Sequence, residues 1–133
     1  MESFEVVSVQ GDGKLLFHGA IPKGASGHDG CHFTASLIST PLSASVRVYD
    51  LEPAYWSGYF ATLARNWRGW EGSKERESLE GHLRIVATTD SLGHISLRVY
   101  LRDVDSDWRA EDVIVVEAGQ LDSIAANAKN YFR

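Results

Sequence analysis

The chain has 133 residues, of which 44% are hydrophobic and 23% charged, and its formal net charge is −5 at pH 7. This length and composition predict one soluble domain, residues 1–133, with its own hydrophobic core. The acidic balance disfavours general binding to nucleic acid or anionic membranes and is compatible with a basic protein partner. The single cysteine, Cys31, excludes an internal disulfide and suits a reducing compartment.

The N-terminus lacks the features of a targeting segment. An acidic residue stands at position 2, no long apolar run follows it, and no stretch of the chain approaches the ~18 apolar residues of a membrane span. We therefore expect a cytoplasmic protein with no membrane partner.

The first third of the chain predicts four short strands, at residues 4–9, 14–18, 31–39 and 43–49. Gly11, Asp12 and Gly13 form a turn signal between the first two, which predicts a hairpin. Residues 19–30 are rich in glycine and predict a loop. Residues 43–49 alternate apolar and polar side chains, as a half-buried strand does.

An aromatic-rich helix is predicted over residues 53–68. Pro53 suits its first turn, and Gly69 and Gly72 end it. Its apolar positions recur at helical spacing on one stripe: Tyr55, Trp56, Tyr59, Phe60, Leu63, Ala64 and Trp67. We expect this helix to cover a sheet, with Tyr55, Phe60, Leu63 and Trp67 buried against it.

The second half predicts further strands and a closing helix. Residues 76–89 should be mostly extended with a kink at Glu80 and Gly81, and residues 94–102 should pair with them through a tight turn. A polar acidic loop is expected over residues 103–112 around Trp108, then a strand at 113–117 covered on both faces. A helix over residues 119–132 closes the chain.

Strands and helices do not alternate regularly, so a doubly wound parallel sheet is disfavoured. The order predicts an α+β domain: a twisted, mainly antiparallel sheet packed by the central and C-terminal helices.

Two clusters resemble metal sites and fail on inspection. The first comprises His28, Asp29, Cys31 and His32, with His18 nearby, but one cysteine without a second paired motif does not match a zinc site. Asp103, Asp105 and Asp107 have calcium-loop spacing, yet tryptophan stands where that loop needs glycine and isoleucine where it needs an acid. We expect neither metal nor cofactor.

No catalytic motif is present. The carboxylates near Trp67 and Trp70 suggest a sugar site, but they interleave with basic residues as in an exposed connection: Glu71, Glu75, Glu77 and Glu80. The serines lack a nucleophile-elbow sequence, and no glycine-rich phosphate loop follows a strand. The residues favour a non-enzymatic protein.

Three blocks of sequence carry a family resemblance: WSGYFATLARNWRGWEG, SLEGHLRIVATTDSLGHISLRVYLRD and VEAGQLDSIAANAKNYF. Together they resemble a bacterial family of small uncharacterised proteins and, more distantly, the WapI-type immunity proteins of polymorphic toxin systems. The resemblance covers about residues 46–132. It implies a non-enzymatic intracellular protein that binds and neutralises a cognate toxin, and it assigns no catalytic residue.

Two functional hypotheses follow. In the first, a basic toxin meets an acidic surface anchored by tryptophan, and the expected partner-binding residues are Trp70, Asp103, Asp105, Asp107, Trp108, Glu111 and Asp112. In the second, a small-ligand binder or enzyme uses a cleft near Trp67, Trp70 and residues 71–80. A third hypothesis is a homodimer, formed when the edge of a sheet pairs with a second copy of the chain.

Overall fold

The computed structural model describes residues 2–25 and 29–133. Its elements are two helices, α1 (Ala54–Arg65) and α2 (Leu121–Tyr131), and eight strands: β1 (Ser3–Val7), β2 (Lys14–Ile21), β3 (Cys31–Ile38), β4 (Ser43–Asp50), β5 (Lys74–Glu77), β6 (Leu83–Thr89), β7 (His94–Asp103) and β8 (Trp108–Glu117). The predicted α+β class is confirmed. The strands form two antiparallel sheets, ordered β1-β2-β3-β4 and β5-β6-β7-β8, where one sheet was expected.

The N-terminal sheet follows the alternation in its sequence. The predicted hairpin is confirmed, since β1 pairs with β2 from Ser3 opposite His18 to Val7 opposite Lys14. Its inner face carries the aromatic side chains of Phe4, Phe17 and Phe33, all nearly inaccessible to solvent. Side chains that alternate with them, such as Glu5, His18 and Thr34, are polar, as in a sheet with one solvated face.

The C-terminal sheet contains a hairpin where a single kinked strand was predicted. Residues 76–89 divide into the end of β5 and all of β6, which pair antiparallel. Ser78 closes the turn: its amide donates to the Leu83 carbonyl at 2.8 Å, and its hydroxyl accepts from the Leu83 amide at 3.1 Å. Gly81, with a φ of 79°, reverses the chain there rather than bulging it.

Helix α1 buries Trp56, Tyr59, Phe60, Leu63 and Ala64. The expected burial of Tyr55 and Trp67 is wrong: their side chains remain 38% and 51% exposed. Tyr55 lies at the edge of the buried stripe, and Trp67 lies beyond Arg65, where the helix ends. Within the described residues, neither helix has the length and apolar content to cross a bilayer.

One hydrophobic core joins both sheets and both helices. Phe17 lies at its aromatic centre, with ring centroids of Phe4 and Phe132 at 5.4 and 5.3 Å and those of Phe33 and Phe60 at 5.6 and 6.2 Å. These rings come from β1, β3, α1 and the residue after α2. The core is therefore closed by segments from both ends of the chain.

The two sheets are also tied by hydrogen bonds at one edge of β8. The Val115 amide donates to the Ser8 hydroxyl at 3.0 Å, and the Val9 amide donates to the Val115 carbonyl at 2.8 Å. This contact lies near the end of β8, where Ile114 and Val116 enter the core from one face and Val115 is buried on the other. Coverage of this strand on both faces is thereby confirmed at those three positions.

Gly30 lies where no other side chain fits. A Cβ there would stand 2.4 Å from the Asp50 carbonyl oxygen and 2.6 Å from the Tyr49 ring. We expect Gly30→Ala to lower the free energy of unfolding by about 1–3 kcal/mol, measured by urea denaturation, because a backbone atom must move. Gly58→Ala is the matched control: its Cβ meets nothing within 4 Å on the exposed side of α1, and helix propensity should raise stability by about 0.5–1 kcal/mol. Equal effects of the two substitutions would contradict this account.

Candidate functional site

The predicted acidic loop is mostly strand. Only residues 104–107 form the turn between β7 and β8, because Trp108 already pairs with Asp103. Asp103 accepts the Asp105 amide at 3.2 Å, and Asp107 adopts a φ of 57°. The prediction of a loop over residues 103–112 is therefore wrong. The segment is polar because residues of β8 that face outward carry charged side chains.

Strand alternation separates the predicted acidic residues. Glu111 points to the outer face of the C-terminal sheet and pairs with Arg98 at 3.2 Å. Asp112 points the other way, toward the turn at Gly13, and accepts the Val113 amide at 2.8 Å. Asp103 and Asp105 line a different cavity, of about 290 Å³, beside β4. These residues do not form one acidic face, and their role in partner binding stays a prediction.

The two tryptophans expected as anchors pack against the core. Trp70 and Trp108 are both half-buried beside core residues. The Trp70 indole donates to the Ala87 carbonyl at 3.3 Å, and the Lys74 ammonium lies 5.6 Å from its ring centroid. Trp67 is the more exposed ring, with Arg68 stacked 5.1 Å from its centroid. The sequence predicted a buried Trp67 and an accessible Trp70, and the structure has the reverse order of exposure.

Of the residues 71–80 expected to line the alternative cleft, one, Glu77, lines a cavity in the structure. Glu77, at the end of β5, lines a cavity of about 380 Å³ on the outer face of the C-terminal sheet, together with Arg84 and Tyr100. Neither Trp67 nor Trp70 lines that cavity. The carboxylate of Glu75 is engaged by Arg84 at 3.0 Å.

The residues that resembled a zinc site have other environments. His28 lies outside the described residues. Cys31 is buried, and burial raises the pKa of its thiol. His18 is hydrogen-bonded through Nε2 to the Ser36 hydroxyl at 3.1 Å, on the outer face of the N-terminal sheet. Across residues 2–25 and 29–133, no three His, Cys, Asp or Glu side chains are arranged to hold a metal ion.

A buried carboxylate joins three segments near the start of α1. Asp50, the last residue of β4, is 5% exposed. One of its oxygens accepts the Trp56 indole N–H at 2.6 Å and the other accepts the Leu79 amide at 3.1 Å. Burial raises the pKa of Asp50, opposed by these two hydrogen bonds and by Arg76. Asp50 therefore fixes β4, α1 and the β5–β6 turn relative to one another.

Around Asp50 lies an exposed apolar surface that the sequence reasoning missed. Leu51, Tyr55 and Leu79 are 53%, 38% and 59% exposed, and we call them the apolar patch. Leu51 follows Asp50 in the chain, Leu79 is hydrogen-bonded to it, and the Tyr55 hydroxyl donates to the Glu77 carbonyl at 3.1 Å. The sequence feature that could have indicated this surface is the presence of two leucines within turn sequences, DLEP and SLEG. Neither leucine continues the buried-residue pattern of the strand or helix beside it.

Comparison with known proteins gives a family and no activity. A family model described as "Family of unknown function (DUF6228)" matches residues 7–133. No curated protein and no solved structure matches significantly. The resemblance to uncharacterised proteins is thereby supported, while no comparison bears on WapI-type immunity proteins. Because the match spans nearly the whole chain, this protein belongs to DUF6228, a family of unknown function.

Proposed function

We propose that this protein is a non-enzymatic, cytoplasmic binding protein that docks a protein partner on the apolar patch. The observation that carries the proposal is that three exposed apolar residues, Leu51, Tyr55 and Leu79, come from segments joined by the hydrogen bonds of Asp50 and Tyr55. Single exposed leucines are ordinary on soluble proteins, whereas a contiguous apolar patch is typical of an interaction site.

The apolar patch is held in place before any partner arrives. Asp50 fixes the backbone at Leu79, and the Tyr55 hydroxyl is anchored on the carbonyl of Glu77. The Arg76 guanidinium stacks 4.3 Å from the Tyr55 ring centroid and restrains it further. A partner would therefore lose little free energy in ordering this surface, which favours tight binding.

The overall charge of the chain favours a basic partner, since its net charge is −5. Next to the apolar patch, Glu52 is paired with Lys23, Arg76 stacks on Tyr55, and Glu80 is exposed. The net negative charge steers a basic protein toward this one, and the apolar side chains supply contact after docking.

The partner we propose is a toxin encoded by the neighbouring gene, which the protein neutralises as an immunity protein does. This identity comes from the resemblance to WapI-type immunity proteins. A preformed docking surface on an acidic protein is compatible with that role.

The test is a toxin-rescue assay combined with a binding measurement on the purified neighbouring gene product. We expect the double variant Leu51→Ser, Leu79→Ser to bind at least about tenfold more weakly and to lose rescue. Leu92→Ser is the matched control, because Leu92 is 80% exposed on the β6–β7 turn. Unchanged binding by the double variant, or a neighbouring product that is not toxic, would overturn the proposal.

A triple variant distinguishes the apolar patch from the acidic turn expected from the sequence. Trp108→Ala, together with Asp105→Lys and Asp107→Lys, alters that turn and its first strand residue. Loss of binding confined to these changes would place the interface at the β7–β8 turn instead.

A small-ligand site remains the second candidate function. It is favoured by the cavity of about 380 Å³ that Glu77 helps to line, whose size lies within the range of small-molecule pockets.

A further inference from the structure

Two arginines on the outer face of the C-terminal sheet lie directly opposite each other. Arg102 on β7 pairs in register with Arg109 on β8. Like charges at directly opposed strand positions are destabilising. In a protein with a net charge of −5, this arrangement needs a reason.

The neighbouring arginines on the same face are neutralised, and these two are not. Arg84 pairs with Glu75 at 3.0 Å, and Arg98 pairs with Glu111 at 3.2 Å. Arg102 and Arg109 form no ion pair in the part of the chain that the structure describes. Two adjacent positive charges are thus left without a carboxylate.

The Arg102 guanidinium is confined as well as unpaired. Its Nε atom is shut off from solvent and has no hydrogen-bond acceptor among the described residues. On its other side, a Cβ added at Gly81 would stand 2.8 Å from Arg102 Nη2, so the β5–β6 turn passes close against it. The Arg102 guanidinium is therefore held in a fixed position beside the β5–β6 turn, at the free-energy cost of one buried donor without an acceptor.

Both arginines face the cavity of about 380 Å³ described above. Its lining includes Arg84, Tyr100, Arg102 and Arg109, together with the carboxylates Glu77 and Glu111. Arg84 stacks 5.3 Å from the Tyr100 ring centroid, which holds a third guanidinium beside the other two. Glu111 is engaged by Arg98, so Glu77 is the carboxylate in the lining that has no ion pair in residues 2–25 and 29–133.

We propose that this cavity is a binding site for a small oxyanion, held by Arg102 and Arg109. A guanidinium presents parallel N–H donors that match a carboxylate or a phosphate group in a bidentate geometry. The ligand supplies the missing negative charge between the opposed arginines. The nearby Glu77 disfavours highly charged anions, so the ligand carries a single carboxylate or phosphate-ester group. This proposal does not depend on the docking of a protein at the apolar patch.

Calorimetric titration and thermal unfolding of the full chain test the site at constant ionic strength. The probes are inorganic phosphate, glycerol phosphate and acetate, with chloride as the reference salt. We expect saturable binding and a rise in Tm with at least one oxyanion. If glycerol phosphate binds more tightly than acetate, the ligand carries a phosphate ester; if acetate binds more tightly, the ligand carries a carboxylate. ATP, as a multiply charged probe, should bind more weakly than glycerol phosphate.

The variants Arg102→Gln and Arg109→Gln should each weaken that binding about tenfold or more. Arg68→Gln is the matched control, since it removes the same charge from an exposed position outside the cavity. Without ligand, Arg102→Gln should be at least as stable as the parent protein, because it relieves like-charge repulsion. The absence of saturable binding by every probe overturns the proposal, as does an equal loss in the Arg68 variant. A partner that still binds these variants leaves the proposed docking function intact, which separates the two tests.

Discussion

Replacing Phe17 by alanine should lower the free energy of unfolding by about 3–5 kcal/mol. The side chain is inaccessible to solvent and contacts rings from β1, β3, α1 and the residue after α2. Its removal leaves a cavity among segments that come from distant parts of the chain, so no single neighbour can collapse to fill it. Urea denaturation followed by tryptophan fluorescence measures the change.

Leu92→Ala is the control for the loss of an apolar side chain as such. Leu92 is 80% exposed, and its removal should change stability by no more than about 0.5 kcal/mol. If Phe17→Ala cost as little as this control, the aromatic cluster would not be the centre of the core.

Replacing Asp50 by alanine should lower the free energy of unfolding by about 2–3 kcal/mol. The change removes the acceptor of the fully buried Trp56 indole and that of the Leu79 amide. Relief of the cost of burying a carboxylate offsets part of this loss. Chemical denaturation gives the magnitude. A change in the NMR chemical shift of the Trp56 indole N–H proton shows that the hydrogen bond to Asp50 has been lost.

The pH dependence of the same site has a definite sign. Because burial raises the pKa of Asp50 above its ordinary value of 3.8, the folded protein holds this proton more tightly than the unfolded chain. The Asp50 contribution to stability is therefore fully present below the unfolded pKa and decreases as pH rises through the folded pKa.

Asp50→Asn isolates that contribution. Asp12 and Asp90 have lowered pKa values and act in the opposite direction, but they are common to both proteins. Unfolding measured from about pH 3 to about pH 7 should show the parent losing stability relative to Asp50→Asn as pH rises. The opposite slope would mean that the hydrogen bonds to Asp50 outweigh its burial.

The local pattern of the sequence was sufficient for most strands and insufficient where tertiary contacts decide. Alternation located β4 and β7 because each has one buried and one solvated face. Helical spacing placed Tyr55 and Trp67 on the stripe with Phe60, but it carries no information on how wide the covered sector is or where the helix ends. The start of β8 was missed because outward charges such as Arg109 and Glu111 resemble a loop when the pairing strand is unknown.

The candidate sites depended on register and on neighbouring turns. Arg102 and Arg109 are seven positions apart in sequence, and only the pairing of β7 with β8 brings them face to face. The apolar patch likewise combines the start of α1 with the β5–β6 turn through Asp50. Neither arrangement has a sequence period, whereas the metal-like and calcium-like spacings were visible and failed on residue type.

The hydrogen bond between Ser8 and Val115 spans 107 positions of the chain, and Phe132 reaches back to Phe4 and Phe17. Both sheets thus complete their burial only when the two ends of the chain have met. The entropy of closing that long loop is lost before these contacts contribute, and such non-local topologies fold slowly. During synthesis, the aromatic face of the N-terminal sheet therefore stays incompletely covered until Phe132 has been made. Over that interval it is the part of the molecule most open to aggregation or to a chaperone.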